Sequence, residues 1–216
     1  MGDFMDFFDL HCDTLTECMD DGDSLLKNER DIDFERGSIF GRWNQVFAVF
    51  VPDSMDDSLV AGYFDSACNF YFDELKKKGD VFPILSSEDV RGHPRGVMLA
   101  MESSRGVGSL ERLEKLYERG LRLITLTWNH KNRAAGGCDE GGGLTDWGRE
   151  LVSKMEKLGI VTDVSHLSDR SFYDLCEFSD APFIASHSDA RAVHNEVRSL
   201  TDEQIKIIIE RGGLIG

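Results

Sequence analysis

Five residues whose side chains bind divalent metals stand at the ends of four apolar runs. His11 and Asp13 close Phe-Phe-Asp-Leu-His-Cys-Asp, and Glu102 closes Gly-Val-Met-Leu-Ala-Met-Glu. His166 closes Ile-Val-Thr-Asp-Val-Ser-His, and His187 closes Phe-Ile-Ala-Ser-His. Imidazoles and carboxylates suit zinc and its neighbours. Gathered from several parallel strand ends, such ligands furnish the mouth of a barrel-type metallohydrolase. Each residue alone is a weak sign, since a histidine near an aspartate is common; the joint placement carries the argument. Side chains two apart on a strand share a face. His11 is therefore predicted to lie with Asp13, His166 with Thr162 and Val164, and His187 with Ala185, all pointing into the barrel. Cys12 faces the other way and reads as packing. The set suffices for two ions bridged by Glu102, with a bridging hydroxide as nucleophile.

The elements that must position these residues are legible as an alternation. Short apolar runs at 7–13, 45–51, 97–102, 121–128, 160–166, 183–187 and 213–216 read as strands. Helix-period segments at 58–78, 109–119, 145–158, 168–178 and 201–211 separate most of them. In the first of these helices Leu59, Tyr63, Phe64, Ala67, Tyr71 and Leu75 form the predicted stripe, with Gly79 as the stop. The last opens with Thr201 and Gln204, a capping-box pair, and is predicted to bury Ile205, Ile208 and Ile209. Strands alternating with helices predict a parallel sheet, and here a TIM-like (β/α) barrel of about seven strands, the eighth missing. One domain spans residues 1–216. Residues 20–43 lack periodicity and read as an excursion after strand one. Residues 134–143, Ala-Ala-Gly-Gly-Cys-Asp-Glu-Gly-Gly-Gly, read as a flexible loop after strand four. In a barrel that is where substrate contacts sit, and a disordered connector is the alternative.

Composition narrows the partners. The 24 basic and 40 acidic residues leave a net charge of −16, which argues against nucleic acid or an anionic membrane. No run approaches the ~20 apolar residues of a membrane span. The N-terminus is acidic where a signal peptide is basic. The five cysteines, at 12, 18, 68, 138 and 176, form no C-x-x-C pair. Reduced thiols and a cytoplasmic setting are expected.

Longer stretches carry a resemblance. They are Asp9-Leu10-His11-Cys12-Asp13, residues 45–52, the run Leu-Arg-Leu-Ile-Thr-Leu-Thr-Trp-Asn at 121–129 and Leu144-Thr145-Asp146-Trp147-Gly148. Residues 158–168, 181–190 and Arg198-Ser199-Leu200-Thr201-Asp202 complete the set. In these stretches and their order the chain resembles the zinc-dependent dipeptidases of the membrane (renal) dipeptidase family. The resemblance implies a TIM-like barrel with two Zn2+ ions and a small dipeptide as substrate. It implies that His11 and Asp13 hold one ion, His166 and His187 the other, and that Glu102 bridges. Arg198 then binds the substrate's terminal carboxylate, a task suited to a planar fork of donors. Trp128 and Asn129 fall at the substrate side, and Asp163 is a weaker candidate for supporting a ligand.

Three departures accompany it. The family's strand-three glutamate is usually followed by glycine, and here Ser103 and Ser104 follow. Some members carry a substrate-contacting histidine where Trp128 stands, and His130, two residues on, is the candidate replacement and candidate proton donor. Family members also continue through an eighth strand bearing an aspartate assigned to proton transfer, beyond Gly216 of this sequence. Two readings follow. One is a metallo-dipeptidase; the other is a non-catalytic metal-binding remnant lacking that aspartate. Without that aspartate, and with an open barrel edge, we expect poor activity and either homo-oligomers or aggregation for residues 1–216 alone. A barrel amidohydrolase acting on cyclic amides fits less well, because such enzymes usually open with H-x-H rather than His11-Cys12-Asp13.

Overall fold

The β-branched and aromatic runs form the strands of one curled parallel sheet, and the amphipathic segments form helices on its outer face. The computed structural model describes residues 5–216; residues 1–4, part of the acidic N-terminus read above against a signal peptide, lie outside them. The strands are β1 (Asp6–Asp9), β2 (Arg42–Phe50), β3 (Phe82–Pro83), β4 (Arg95–Glu102), β5 (Leu121–Thr125) and β6 (Val161–Asp163). They run in the order β1-β2-β4-β5-β6, all parallel, with β3 paired to the start of β4. Beyond β6 the curl continues through two parallel bridges, Asp163 to Ile184 and Ala185 to Ile215. The expected strands at 183–187 and 213–216 are thus present as single bridges rather than ladders.

The helices are α1 (Thr14–Asp21), α2 (Phe34–Gly37), α3 (Asp57–Lys78), α4 (Ser87–Gly92), α5 (Leu110–Glu118), α6 (Asp146–Leu158), α7 (Asp169–Phe178) and α8 (Asp202–Glu210). The five longest coincide with the predicted segments, because each begins at a Ser, Thr or Asp whose side chain caps it. Sequence reading missed α1, α2, β3 and α4, which are short and weakly periodic. Two predicted core positions are exposed: Leu59 at 61% and Ile209 at 63%. In α3 the buried stripe runs instead through Val60, Phe64, Ala67, Cys68, Tyr71 and Leu75. Among the described residues no helix is long and apolar enough to cross a membrane.

The two faces of the sheet differ in what they bury. Phe47, Val49, Val97, Leu99, Met101 and Ile124 pack under the helices in the main core. Their strand neighbours Val46, Ala48, Ala100 and Leu123, with Met98, Val161 and Ile184, form a small separate cluster on the concave face. Period two then sets the next layer up. Glu102 follows Met98 and Ala100, Thr125 follows Leu123, Asp163 follows Val161, and Ser186 follows Ile184. All four are buried polar residues at the C-terminal rim. Apolar residues close the interior below, and polar groups converge above.

Candidate metal centre

Glu102 sits at the middle of the rim, with its side chain 3% exposed. Its Oε1 lies 3.0 Å from His166 Nε2 and 3.4 Å from His187 Nε2. Its Oε2 lies 3.5 Å from His11 Nε2, which is 3.4 Å from Asp13 Oδ1. The His11 and His187 rings stack at 3.7 Å between centroids. The ligating atoms of His11, Glu102 and His187 all lie within 4.8 Å of one another. The fold therefore brings together all five predicted ligands, from the segment after β1, from β4 and from the segments after β6.

How they arrive differs from the expectation of straight strands. Val164 and Ala185 belong to the helix-side core, so the face predicted to carry His166 and His187 inward points outward. β6 ends at Asp163, and His166 takes a left-handed backbone, φ 68°. A non-glycine residue rarely adopts that conformation. It turns the imidazole back over the rim. β1 likewise ends at Asp9, although Cys12 still pairs with β2 through Val46 O at 3.1 Å and Ala48 N at 2.9 Å. Cys12 packs against the core, as expected.

Two orphaned acceptors mark the site. Asp13 stands at the N-cap of α1, where an aspartate ordinarily accepts a backbone N–H. It makes no such bond, and its buried Oδ1 has no hydrogen-bond partner. Glu102 Oε1 is buried and equally without a hydrogen bond. An unsatisfied buried acceptor is costly, on the order of 1–3 kcal/mol and more when charged. The imidazoles add acceptors rather than donors. His166 Nδ1 lies 2.7 Å from Asn129 Oδ1, an acceptor only, so Nδ1 carries the proton and Nε2 presents a lone pair. His166 Nε2 lies 3.0 Å from His187 Nε2. Lone pairs and carboxylate oxygens thus converge, and divalent cations of the zinc type fit this donor set.

The electrostatics agree. Burial alone would raise the Glu102 carboxyl, but His166, His187 and the charge on His11 outweigh it and hold the group well below the usual carboxylate range. Burial lowers His11, yet the Asp13 and Glu102 carboxylates beside it leave it raised. Burial also lowers His187; the Glu102 carboxylate beside it opposes this, but the nearby His11 charge adds to it, and the net shift is down. Asp163, wholly buried, is held low despite its burial by the His187 charge and by hydrogen bonds from Ser186 and Thr125.

The remaining predicted residues divide. Arg198 reaches the centre: Nη1 donates to His187 O at 2.7 Å, and Nη2 lies 3.1 Å from His166 Nε2. The Trp128 ring lies 6.2 Å from the His166 ring and edge-on to Phe50 at 5.1 Å. Asn129, expected against substrate, holds His166. His130 is not brought to the cluster. Its Nδ1 lies 2.6 Å from Asp53 Oδ2, in a separate cavity of about 670 Å³ shared with Arg133 and Trp147. A second cavity, about 390 Å³, adjoins Asp13 and is lined also by Phe50, Met55 and Tyr63.

The loop at 134–143 is a fixed buttress rather than a flexible connector. Cys138 N donates to His166 O at 2.9 Å, Asp139 N to Asn129 O at 2.9 Å, and Ser168 N to Gly136 O at 3.1 Å. Its glycines serve that contact: a Cβ on Gly136 would strike the Gly141 carbonyl, and one on Gly137 the Asn129 carbonyl. Ser103 and Ser104 tie the end of β4 to the same region. Ser103 Oγ accepts from Asn132 Nδ2 at 3.0 Å, and Ser104 Oγ donates to Leu126 O at 2.7 Å. Sequence reasoning missed Ser186; the period-two pattern through Ile184 was the signal that could have found it.

Known proteins resemble this chain in sequence and in fold. An uncharacterized protein in the PQQ-III 3' region of Acinetobacter calcoaceticus is 32% identical over 139 residues, 60% of this chain and 44% of that protein. The chain spans about half the length of the curated relatives it matches. The structure of dipeptidase AC, a metallopeptidase of family M19, superposes with a TM-score of 0.89 at 24% identity, covering 99% of this chain and 72% of that one. A metallopeptidase from Rhodobacter sphaeroides, liganded with a phosphinate mimic of the dipeptide L-Ala-D-Ala, gives 0.87 at 23% identity, covering 99% and 74%. These likenesses establish the fold as that of TIM-like dipeptidase barrels. The model of the membrane dipeptidase family, peptidase family M19, matches residues 3–216, and the chain belongs to that family.

Proposed function

We propose that this protein is a metallo-dipeptidase that hydrolyses the peptide bond of small dipeptides at a centre for two zinc-type ions bridged by Glu102. One observation carries the reading. Three imidazoles converge with the carboxylates of Glu102 and Asp13, two of whose buried oxygens are unsatisfied, and the Arg198 guanidinium stands beside them. His11 and Asp13 would hold one ion, and His166 and His187 the other. When bound, such ions supply Lewis acidity and a hydroxide nucleophile at neutral pH.

The chain's own residues supply the rest. Arg198 uses two of its five donors on the histidine side, which leaves donors for a substrate carboxylate. A carboxylate there directs the peptide across Glu102 towards Asp13 and its adjoining cavity. Trp128 and Phe50 form an aromatic wall that excludes water from one flank. The dipeptide mimic bound by the Rhodobacter sphaeroides relative supports the substrate class. A cytoplasmic setting belongs to the same reading, on the strength of five cysteines with free thiols.

The test is elemental analysis with an assay on the protein from its full natural reading frame. Expected are about two zinc-type ions per chain and metal-dependent turnover of simple dipeptides, weaker for their C-terminal amides. A folded protein without bound metal overturns the ligand set. Bound metal with no cleavage of any dipeptide establishes the non-catalytic alternative.

A further inference from the structure

Asp163 is a wholly buried carboxylate at the rim that touches none of the proposed ligands. Its four hydrogen bonds come from three segments. Oδ1 accepts from Ser165 N and Ser186 N, both at 3.0 Å. Oδ2 accepts from Thr125 Oγ1 at 2.7 Å and Ser186 Oγ at 2.6 Å. Ser186 Oγ in turn lies 2.7 Å from His187 Nδ1. A serine hydroxyl has one proton to give. Here it goes to the carboxylate, which can only accept. The hydroxyl oxygen must therefore accept from His187, so Nδ1 carries the ring proton and Nε2 is left as a lone pair facing Glu102.

We infer that Asp163, acting through Ser186, is a positioning residue that fixes the metal-binding tautomer of His187. The inference rests on the metal centre proposed above but goes beyond its ligands. Histidine ligands commonly hold such an outer partner directly, and losing it typically costs roughly 10–100-fold in metal affinity. Here a hydroxyl is interposed, so the chain of donors has a direction that can be reversed.

Asp163→Asn reverses it. The two backbone N–H groups at the Oδ1 position demand an oxygen there, so the amide nitrogen takes the Oδ2 position and donates to Ser186 Oγ. The hydroxyl proton then turns to His187 Nδ1, and the ring proton moves to Nε2, where it blocks the metal. Ser186→Ala instead removes the partner and leaves the tautomer unfixed. The experiment is 15N NMR of imidazole-labelled, metal-free protein, followed by zinc titration against a chelator. Expected are an Nδ1–H His187 in the wild type and an Nε2–H His187 in Asp163→Asn. Ser186→Ala is expected to give a mixture, and Ser186→Thr to restore the wild-type state. Affinity for one ion should fall roughly 10–100-fold in the first two variants, the other ion being retained. An unchanged tautomer in folded Ser186→Ala, or a lowered melting temperature with unchanged zinc affinity, overturns the inference. Should Asp163→Asn fail to fold, Ser186→Ala decides alone. If wild-type protein binds no zinc, the proposed function fails while the tautomer measurement still stands.

Discussion

The two halves of the proposed metal centre are built differently. On one side, His166 and His187 are backed by fixed groups. Asn129 holds the Nδ1 of the first, Ser186 that of the second, and the loop at 134–143 pins the His166 carbonyl. On the other side, His11 has no hydrogen bond to its Nδ1 among the described residues. Asp13 is 44% exposed at its side chain, against 6% for His166. A cavity opens next to Asp13, whereas Arg198 covers the His166 edge. Orientation before binding reduces what an ion must organise when it arrives. One half is backed by fixed groups; the other, although His11 itself is buried, is less constrained and is exposed at Asp13.

Glu102 belongs to both halves, so it offers the largest effect and the sharpest check on the comparison. Glu102→Gln should lower occupancy of both ions and reduce turnover by more than the roughly 10–100-fold typical of an outer partner. Metal analysis after mild dialysis reads it. Retention of both ions would show that Glu102 does not bridge.

Removal of the ions one at a time tests the asymmetry itself. With increasing chelator, metal should leave in two phases, the ion at His11 and Asp13 first. Asp13→Asn should abolish the early phase and His187→Ala the late one, and the two dissociation constants should differ by about tenfold or more, as expected where outer partners back only one site. A single phase, or loss of the His187 ion first, would reverse the comparison.

Next in size is Arg198. Replacement by lysine keeps the charge but removes the fork. Losing a charged hydrogen bond costs about 1.5–3 kcal/mol, so kcat/KM for dipeptides should fall by roughly 10–150-fold, and less for their C-terminal amides. Equal losses on both would show that Arg198 serves His166 and His187 rather than substrate.

The same contrast explains what the sequence could and could not disclose. The convergence of the five candidate ligands was legible, because each closes an apolar run and the runs end at one rim. The five long helices were legible from their stripes and caps. The faces were not. Parity placed Val164 and Ala185 inward with His166 and His187, but both lie in the helix-side core. A left-handed residue at 166 is invisible to a period-two argument. For the same reason Asp163, which parity places on the face opposite His166, proves to be on the inward face. The loop at 134–143 misled in a related way, since its glycines permit close backbone contact where composition suggested mobility. Short α1, α2, α4 and the two-residue β3 carry too little pattern to be read.

The smallest effect expected belongs to His130. Its sequence position, two residues after Trp128, made it the candidate proton donor. In the fold it is half exposed and paired with Asp53 at 2.6 Å. The Asp53 hydrogen bond raises its pKa, with burial opposing and the Asp53 charge adding. An acid with a raised pKa keeps its proton further up the pH scale, and its contribution is lost as pH rises through that value. If His130 protonated the leaving amine, activity would fall along that limb. His130→Ala would then remove the limb and cost the ~10²–10⁴-fold that general acids supply. A histidine held by Asp53 outside the ligand cluster predicts otherwise. His130→Ala should leave metal content unchanged, the alkaline limb in place, and kcat within about threefold, far short of a general acid's contribution. A loss of a hundredfold or more, with the limb abolished, would return the proton-donor role to His130 and require that it leave Asp53 when substrate binds.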